Sequence, residues 1–125
     1  MKEEGERRQD LKDRTRDFAL RIVRLYCALP KTTEAQVLGK QLLRSGTSVG
    51  AHWREASRAR TNAEFISKIE GGLQELEESL YWMELLVEAG IVKADRIKEL
   101  IDEAHELAAI LTTCVKNVKA KTKSL

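Results

Sequence analysis

The segment Thr61–Val87 reads TNAEFISKIEGGLQELEESLYWMELLV. Its apolar residues recur at spacings of three and four, the period of one face of an α-helix. Thr61 is followed three residues later by Glu64, and this capping-box pair predicts where the helix begins. The apolar stripe consists of Phe65, Ile69, Leu73, Leu76, Leu80, Met83 and Val87. The pattern predicts a long amphipathic helix that ends at Ala89-Gly90.

Three further segments have the same periodicity. Phe18, Ile22, Leu25 and Leu29 lie on one helical face before Pro30, which ends the first helix. Thr33, with Gln36 three residues later, predicts the N-cap of the second helix, and Asp95 predicts the start of the fourth. We therefore predict helices over residues 6–29, 34–60, 62–89 and 95–119. Four helices with short connections predict one all-α domain, residues 1–125, folded as an antiparallel up-down-up-down four-helix bundle.

The composition agrees with this fold class and excludes others. The chain has 125 residues, of which 34% are charged, with a single Pro and seven Gly. An all-β sandwich or barrel needs more turn residues, and a membrane-spanning helix needs about 18 uninterrupted apolar residues. The first fifteen residues contain no apolar run of the kind found in signal peptides. We expect a soluble cytoplasmic protein without membrane contact, with Cys27 and Cys114 as free thiols.

Helix 2 contains the segment Ser45-Gly46-Thr47-Ser48-Val49-Gly50, which has two glycines. Each costs about 1 kcal/mol relative to Ala in a helix interior, so a break is one interpretation. The apolar positions keep the same phase before Ser45 and after Gly50, which favours one bent helix. A close helix–helix contact at Gly46 or Gly50 would account for the glycines.

A few apolar residues lie away from these stripes. Tyr81, Trp82 and Leu85 project more than about 100° from the centre of the helix 3 stripe, and Ile110 lies about 120° from that of helix 4. A cluster that includes Tyr and Trp usually marks an interface, so we predict oligomerisation through these four residues. The alternatives are a small error in helix phase, or cover from neighbouring Lys and Glu stems.

Charge is distributed unevenly along the chain. Residues 31–60 contain six cations and two anions, a net +4, whereas residues 61–92 contain one cation and seven anions, a net −6. On helix 2, an arc of about 80° opposite the apolar stripe contains Lys40, Arg44, Arg54 and Arg58, which we call the basic ridge. Lys116 and Lys119 belong to a basic C-terminal tail. We predict phosphate contacts at these six residues. The alternatives are a solvated face, or pairing with acidic helix 3 of the same or a neighbouring subunit.

No catalytic or metal-binding pattern accompanies these charges. Di-iron bundles use Glu-x-x-His on two helices, whereas this chain has only His52-x-x-Glu55 and Asp102-x-x-His105. The segment around Gly46 and Gly50 lacks the Gly-Lys-Ser/Thr ending of a phosphate loop. We expect no enzymatic activity, no metal and no cofactor.

The residues 41–56, QLLRSGTSVGAHWREA, together with the segments 65–68, FISK, and 78–86, ESLYWMELL, resemble a known family. These segments are similar to the four-helix-bundle proteins encoded by 23S rRNA intervening sequences. The resemblance runs from about Phe18 to about Lys119. It implies a ring-shaped homopentamer without known enzymatic activity. It also points to a related branch, the accessory variability determinants of diversity-generating retroelements, in which a basic pentamer is thought to hold a reverse transcriptase and nucleic acid.

The resemblance gives the two residue groups expected roles. It makes Tyr81, Trp82 and Leu85 expected subunit contacts, and Lys40, Arg44, Arg54 and Arg58 expected phosphate contacts. We therefore expect a ring that binds RNA or DNA through its basic surface. The alternative is a protein-interaction scaffold whose partner is a reverse transcriptase or another protein.

Overall fold

The computed structural model describes the backbone of residues 4–123 and, from residue 10 to residue 122, the side chains. This part of the chain forms four α-helices and no strand: α1 Glu4–Ala28, α2 Thr33–Ser57, α3 Asn62–Glu88 and α4 Ala94–Lys123. Each helix packs against the next one along the chain, and α1 and α4 contact each other least. None of the described helices combines the length and the apolar character that crossing a bilayer requires.

The predicted helix 2 is continuous through Ser45–Gly50, and its glycines lie where α1 comes closest. A Cβ atom on Gly46 would lie 2.7 Å from Cγ1 of Ile22, and one on Gly50 would lie 3.3 Å from Oγ1 of Thr15. Gly39, nearly two turns after the start of α2, would place a Cβ 2.5 Å from Cδ1 of Leu29. Residues later in α2 thus meet residues earlier in α1, as an antiparallel pair requires. The close contact predicted at Gly46 or Gly50 is confirmed.

Buried hydroxyls join α2 to α3. Oγ of Ser45 and Oγ of Ser79 lie 2.9 Å apart, and both residues are fully buried. Oγ of Ser79 also donates to the carbonyl of Glu75, which satisfies the hydroxyl hydrogen of Ser79 within α3. Small side chains at both positions let the two helices approach closely. Ser45, the first of the two serines in the RSGTSVG segment, therefore has a packing role.

The beginning of α2 differs from the sequence prediction. Thr32 is the N-cap, and its side-chain oxygen accepts from the backbone N–H of Ala35 at 3.4 Å, so the assignment to Thr33 was wrong. Gln36 does not complete a capping box. Instead its Nε2 donates to the carbonyl of Pro30, and its Oε1 accepts from the hydroxyl of Tyr26. These two bonds tie the first turn of α2 to the end of α1 and move the helix start by one residue.

The predicted N-cap of α3 is confirmed. Oγ1 of Thr61 accepts from the backbone N–H of Glu64 at 3.0 Å, and Oε2 of Glu64 accepts from the backbone N–H of Arg60. This capping requires an extended backbone at Thr61. The helix predicted over residues 34–60 stops at Ser57, three residues before the predicted end, with Arg58 as its C-cap.

The buried face of α3 is rotated from the predicted stripe. Its buried residues are Ile69, Gly72, Leu76, Ser79, Met83 and Leu86. At 100° per residue, the centre of this set lies about 50° from that of the predicted stripe. Gly72 and Ser79 belong to the face because they are small, and a search for apolar residues passes over them. The helix phase used in the prediction was therefore partly in error, which is one of the alternatives given above for the apolar residues outside the stripe of this helix.

Candidate nucleic-acid interface

The basic ridge lies along the outer face of α2. All four of its residues, Lys40, Arg44, Arg54 and Arg58, are exposed. From Lys40 to Arg58 the ridge extends over about 27 Å, at 1.5 Å per helical residue. The continuity of α2 keeps both ends of the ridge on one face. The structure therefore brings together the four helix 2 cations that the sequence singled out.

Arg44 differs from the other three because it is paired within the chain. Its Nη2 lies 2.8 Å from Oε2 of Glu78, and its Nη1 lies 3.6 Å from Oε2 of Glu75. The Glu75 side chain is only 13% exposed, so its carboxylate is poorly hydrated and needs the nearby cation. Pairing with acidic helix 3, the alternative raised from the sequence, thus applies to Arg44.

The remaining ridge cations have no such partner. Among the side chains that the structure describes, no carboxylate oxygen lies within 4.0 Å of the charged nitrogens of Lys40, Arg54 or Arg58. Glu55, beside Arg54 in sequence, is instead paired with Lys68 of α3 at 3.1 Å. That hydrogen bond and the charge of Lys68 lower the pKa of the Glu55 carboxyl. Three cations of the ridge are thus available to an external anion.

The two lysines predicted on the C-terminal tail, Lys116 and Lys119, are both exposed. Nζ of Lys119 lies 3.8 Å from Oε2 of Glu70 in a solvent-exposed pair. Lys116 has no ion pair with a described carboxylate. Both belong to α4, which extends to Lys123 rather than ending at residue 119. The structure places them on a different helix from the basic ridge.

The predicted oligomer contacts differ in exposure. Tyr81 is 52% exposed, whereas Trp82 and Leu85 are half-buried, and Trp82 packs against the core. The Tyr81 and Trp82 rings lie 5.0 Å apart at 60°. The indole Nε1–H of Trp82 is buried and has no hydrogen-bond partner among the described residues. Because the buried face of α3 is rotated, Trp82 lies closer to the core than predicted. We call Tyr81, Trp82 and Leu85 the α3 apolar patch.

Ile110 occupies a separate place in the fold. It is half-buried and lines a groove of about 650 Å³ between the first half of α1 and the second half of α4. Leu11, Arg14 and Cys114 line the same groove. Arg14 also forms two hydrogen bonds to Glu103 of α4, and these bonds raise the pKa of the guanidinium. The structure therefore assigns Ile110 to the α1–α4 groove, while the rest of the predicted interface lies on α3.

A second group of cations escaped the sequence analysis. Arg21 and Arg24 of α1 line one cleft together with Lys93 and Arg96 at the start of α4. Arg21 lies one turn before Leu25, at the edge of the apolar stripe of α1, whereas Arg24 lies about 130° from the centre of that stripe. The position of Arg21 at the edge of the apolar stripe was the sequence feature that could have indicated a partly buried cation. It could not indicate a cleft by itself, because the other two cations come from a helix 70 residues further along the chain.

The fold is that of a four-helix bundle with charged outer faces, and comparison with known proteins identifies the family within this class. The sequence model of the 23S rRNA-intervening sequence protein family matches residues 7–113. A crystal structure of a protein of unknown function from the S23 ribosomal protein family of Bacteroides thetaiotaomicron is similar to this chain. It shares 37% sequence identity and a TM-score of 0.82, over 87% of this chain and 97% of that one. No curated protein matches the chain. The chain belongs to the 23S rRNA-intervening sequence protein family.

Proposed function

We propose that this protein is a non-enzymatic helical bundle that binds structured RNA or another nucleic acid through the basic ridge. The observation that carries the proposal is the exposure of Lys40, Arg54 and Arg58 on one helix face without a described carboxylate beside them. Lysine and arginine side chains gain affinity for nucleic acids by neutralising phosphates and releasing counterions. A ridge of about 27 Å spans several phosphates of one strand.

A ring-shaped homopentamer is part of this proposal. It extends the resemblance noted in the sequence and uses the α3 apolar patch as a subunit contact. Repeating the ridge in every subunit raises the effective concentration of the second and later contacts once the first has formed. Three available cations per chain then suffice for useful binding to a folded RNA. We place the activity in the cytoplasm.

The test is RNA binding by the double variant Arg54→Gln/Arg58→Gln. The matched control is Lys12→Gln/Arg16→Gln, which removes two exposed cations from α1. Binding of a short RNA hairpin is measured between about 50 and 200 mM salt, where phosphate contacts weaken strongly. We expect the ridge variant to bind more weakly and to lose about two units from the slope of log K against log salt for each subunit that contacts the RNA. Equal losses in the ridge variant and the control would contradict the proposal.

A second candidate function is a protein-interaction scaffold, whose partner is a reverse transcriptase, an acidic protein or acidic helix 3 of a neighbouring subunit. The pairing of Arg44 with Glu78 and Glu75 favours it, because it shows that ridge cations fit an acidic helix face. Charge reversal in Arg54→Glu/Arg58→Glu distinguishes the two functions. Loss of RNA binding by a particle of unchanged mass supports nucleic-acid binding. Loss of the oligomer, without prior RNA binding by the unaltered protein, supports the scaffold.

A further inference from the structure

One end of the bundle contains a cleft of about 690 Å³ where α1 ends and the α3–α4 connection passes over it. Four cations line this cleft: Arg21 and Arg24 from α1, and Lys93 and Arg96 from the start of α4. Asp95 is the single carboxylate among the lining residues, so the formal charge of the lining is +3. We call this feature the basic cleft.

The cations of the basic cleft are not neutralised by the protein. None of the four has a carboxylate oxygen within 4.0 Å among the described side chains. Elsewhere in the bundle, Arg14 is paired with Glu103 and Arg44 with Glu78. Like charges collected in one concave site raise the local positive potential, and low-dielectric walls focus it. The basic cleft therefore attracts an anion more strongly than the same cations would on a flat surface.

The backbone adds to this potential. Helix α4 begins at Ala94, and Lys93, Asp95, Arg96 and Ile97 around its first turn line the cleft. The first-turn N–H groups of a helix have no partner within the helix and carry a partial positive charge. Helix N-termini of this kind bind phosphate when cations lie beside them. The N–H of Arg96 donates to the carbonyl of Lys93, so the N–H groups of Ala94 and Asp95 remain for a ligand.

The cleft also has an apolar wall. Leu25 of α1 and Ile91 and Val92 of the α3–α4 connection line it beside the cations. Its volume falls within the range of about 300–1,000 Å³ that is typical of small-molecule sites. A free inorganic anion would leave this wall in contact with water. The combination fits a ligand that has a phosphate at one end and a compact organic group at the other.

We propose that the basic cleft binds a phosphate monoester, with the phosphate between the α1 and α4 cations and the organic group against Leu25, Ile91 and Val92. This ligand is either a small phosphorylated molecule or the terminal phosphate of a nucleic acid, since both present the same chemistry. The proposal is independent of the basic ridge, which lies on α2 and would contact phosphodiesters along a strand.

Adenosine 5′-monophosphate is the probe, and titration calorimetry on the full chain measures its binding. The variant is Arg24→Gln/Arg96→Gln, which removes one exposed cation from each wall and spares the half-buried Arg21. The matched control is Lys40→Gln/Arg58→Gln on α2, with the same change in net charge. We expect saturable binding that weakens roughly tenfold or more in the cleft variant, because charged hydrogen bonds are lost. The control is expected to bind the probe as the unaltered protein does.

The outcomes separate this site from the basic ridge and identify the source of the phosphate. Adenosine without phosphate is expected not to bind; equal binding of adenosine, or equal weakening in both variants, would overturn the proposal. A short RNA with a 5′-phosphate is then compared with its 5′-hydroxyl form. A preference for the phosphate that disappears in Arg24→Gln/Arg96→Gln assigns the cleft to a nucleic-acid end. No preference, with intact binding of the monophosphate, assigns it to a small molecule.

Discussion

Gly46 shows how a single residue sets the distance between two helices. Its missing side chain leaves room for Ile22, which is fully buried, so α1 and α2 approach as closely as their backbones allow. A methyl group at this position would meet Cγ1 at 2.7 Å and Cγ2 at 3.0 Å of a β-branched side chain that has little rotamer freedom. The glycine is therefore a packing requirement of the bundle.

We expect Gly46→Ala to lower the free energy of unfolding by about 1–2 kcal/mol, since overpacking costs about 1–3 kcal/mol and alanine returns up to about 1 kcal/mol of helix propensity. The control is Gly72→Ala in α3, where the nearest atoms to an added Cβ are 3.5 Å or more away. That variant should be neutral or more stable by up to about 1 kcal/mol. Urea denaturation measures both, and stabilisation by both substitutions would disprove the packing argument.

The ion pair between Glu55 and Lys68 makes a prediction about pH. The pKa of Glu55 is lowered mainly by its hydrogen bond with Lys68. The pair therefore contributes above the ordinary glutamate pKa of about 4.3, and the contribution is lost as the pH falls through the lowered value. We expect Lys68→Met to raise the pKa of Glu55 toward its ordinary value, measured by carboxyl carbon NMR. Lys98→Met, which removes a partner of Asp102, should leave it unchanged.

At the scale of helices, the existence of all four could be predicted from the sequence, while their rotation, most of their contacts and the ends of α2 and α4 could not. The spacing of Ile69, Leu76 and Met83 correctly predicted buried positions on α3. Leu86 was missed because the buried face of α3 is rotated from the predicted stripe and includes Gly72 and Ser79, which a search for apolar residues passes over. Likewise, the pairing of Arg44 with Glu78 depends on how α2 and α3 align, which the periodicity of either helix does not determine.

The start of α2 allows the structure to be tested against the sequence prediction. Thr32 and Thr33 are adjacent and chemically equivalent as caps, but only Thr32 accepts from a first-turn N–H. We expect Thr32→Ala to destabilise the protein by about 0.5–1 kcal/mol, in the lower part of the range for threonine N-caps because the bond is 3.4 Å long. Thr33→Ala, the matched control, should change stability by less. Thermal or urea unfolding decides between them, and the reverse order would restore Thr33 as the cap.

At the scale of the whole molecule, exposed apolar side chains lie on different helices. Tyr81 is one of the exposed large hydrophobic residues of the described chain, and Leu20 on α1 is another, at 43%. The two residues lie on helices that are not adjacent in the described part of the bundle. A subunit contact through α3 therefore predicts different consequences for the same charge placed at each position, since burying an unpaired carboxylate at an interface is strongly unfavourable.

We expect Tyr81→Asp to reduce the mass of the particle measured by light scattering, from that of the proposed pentamer toward that of a single chain. Leu20→Asp introduces the same charge at a comparably exposed apolar site and should leave the mass unchanged. Both variants should keep the helical content of the unaltered protein, because neither position belongs to the buried core. A fall in mass would also weaken RNA binding through the lost multivalency, even though the basic ridge is untouched. A mass that is unchanged in Tyr81→Asp, or reduced equally in both variants, would remove the α3 apolar patch from the proposed interface.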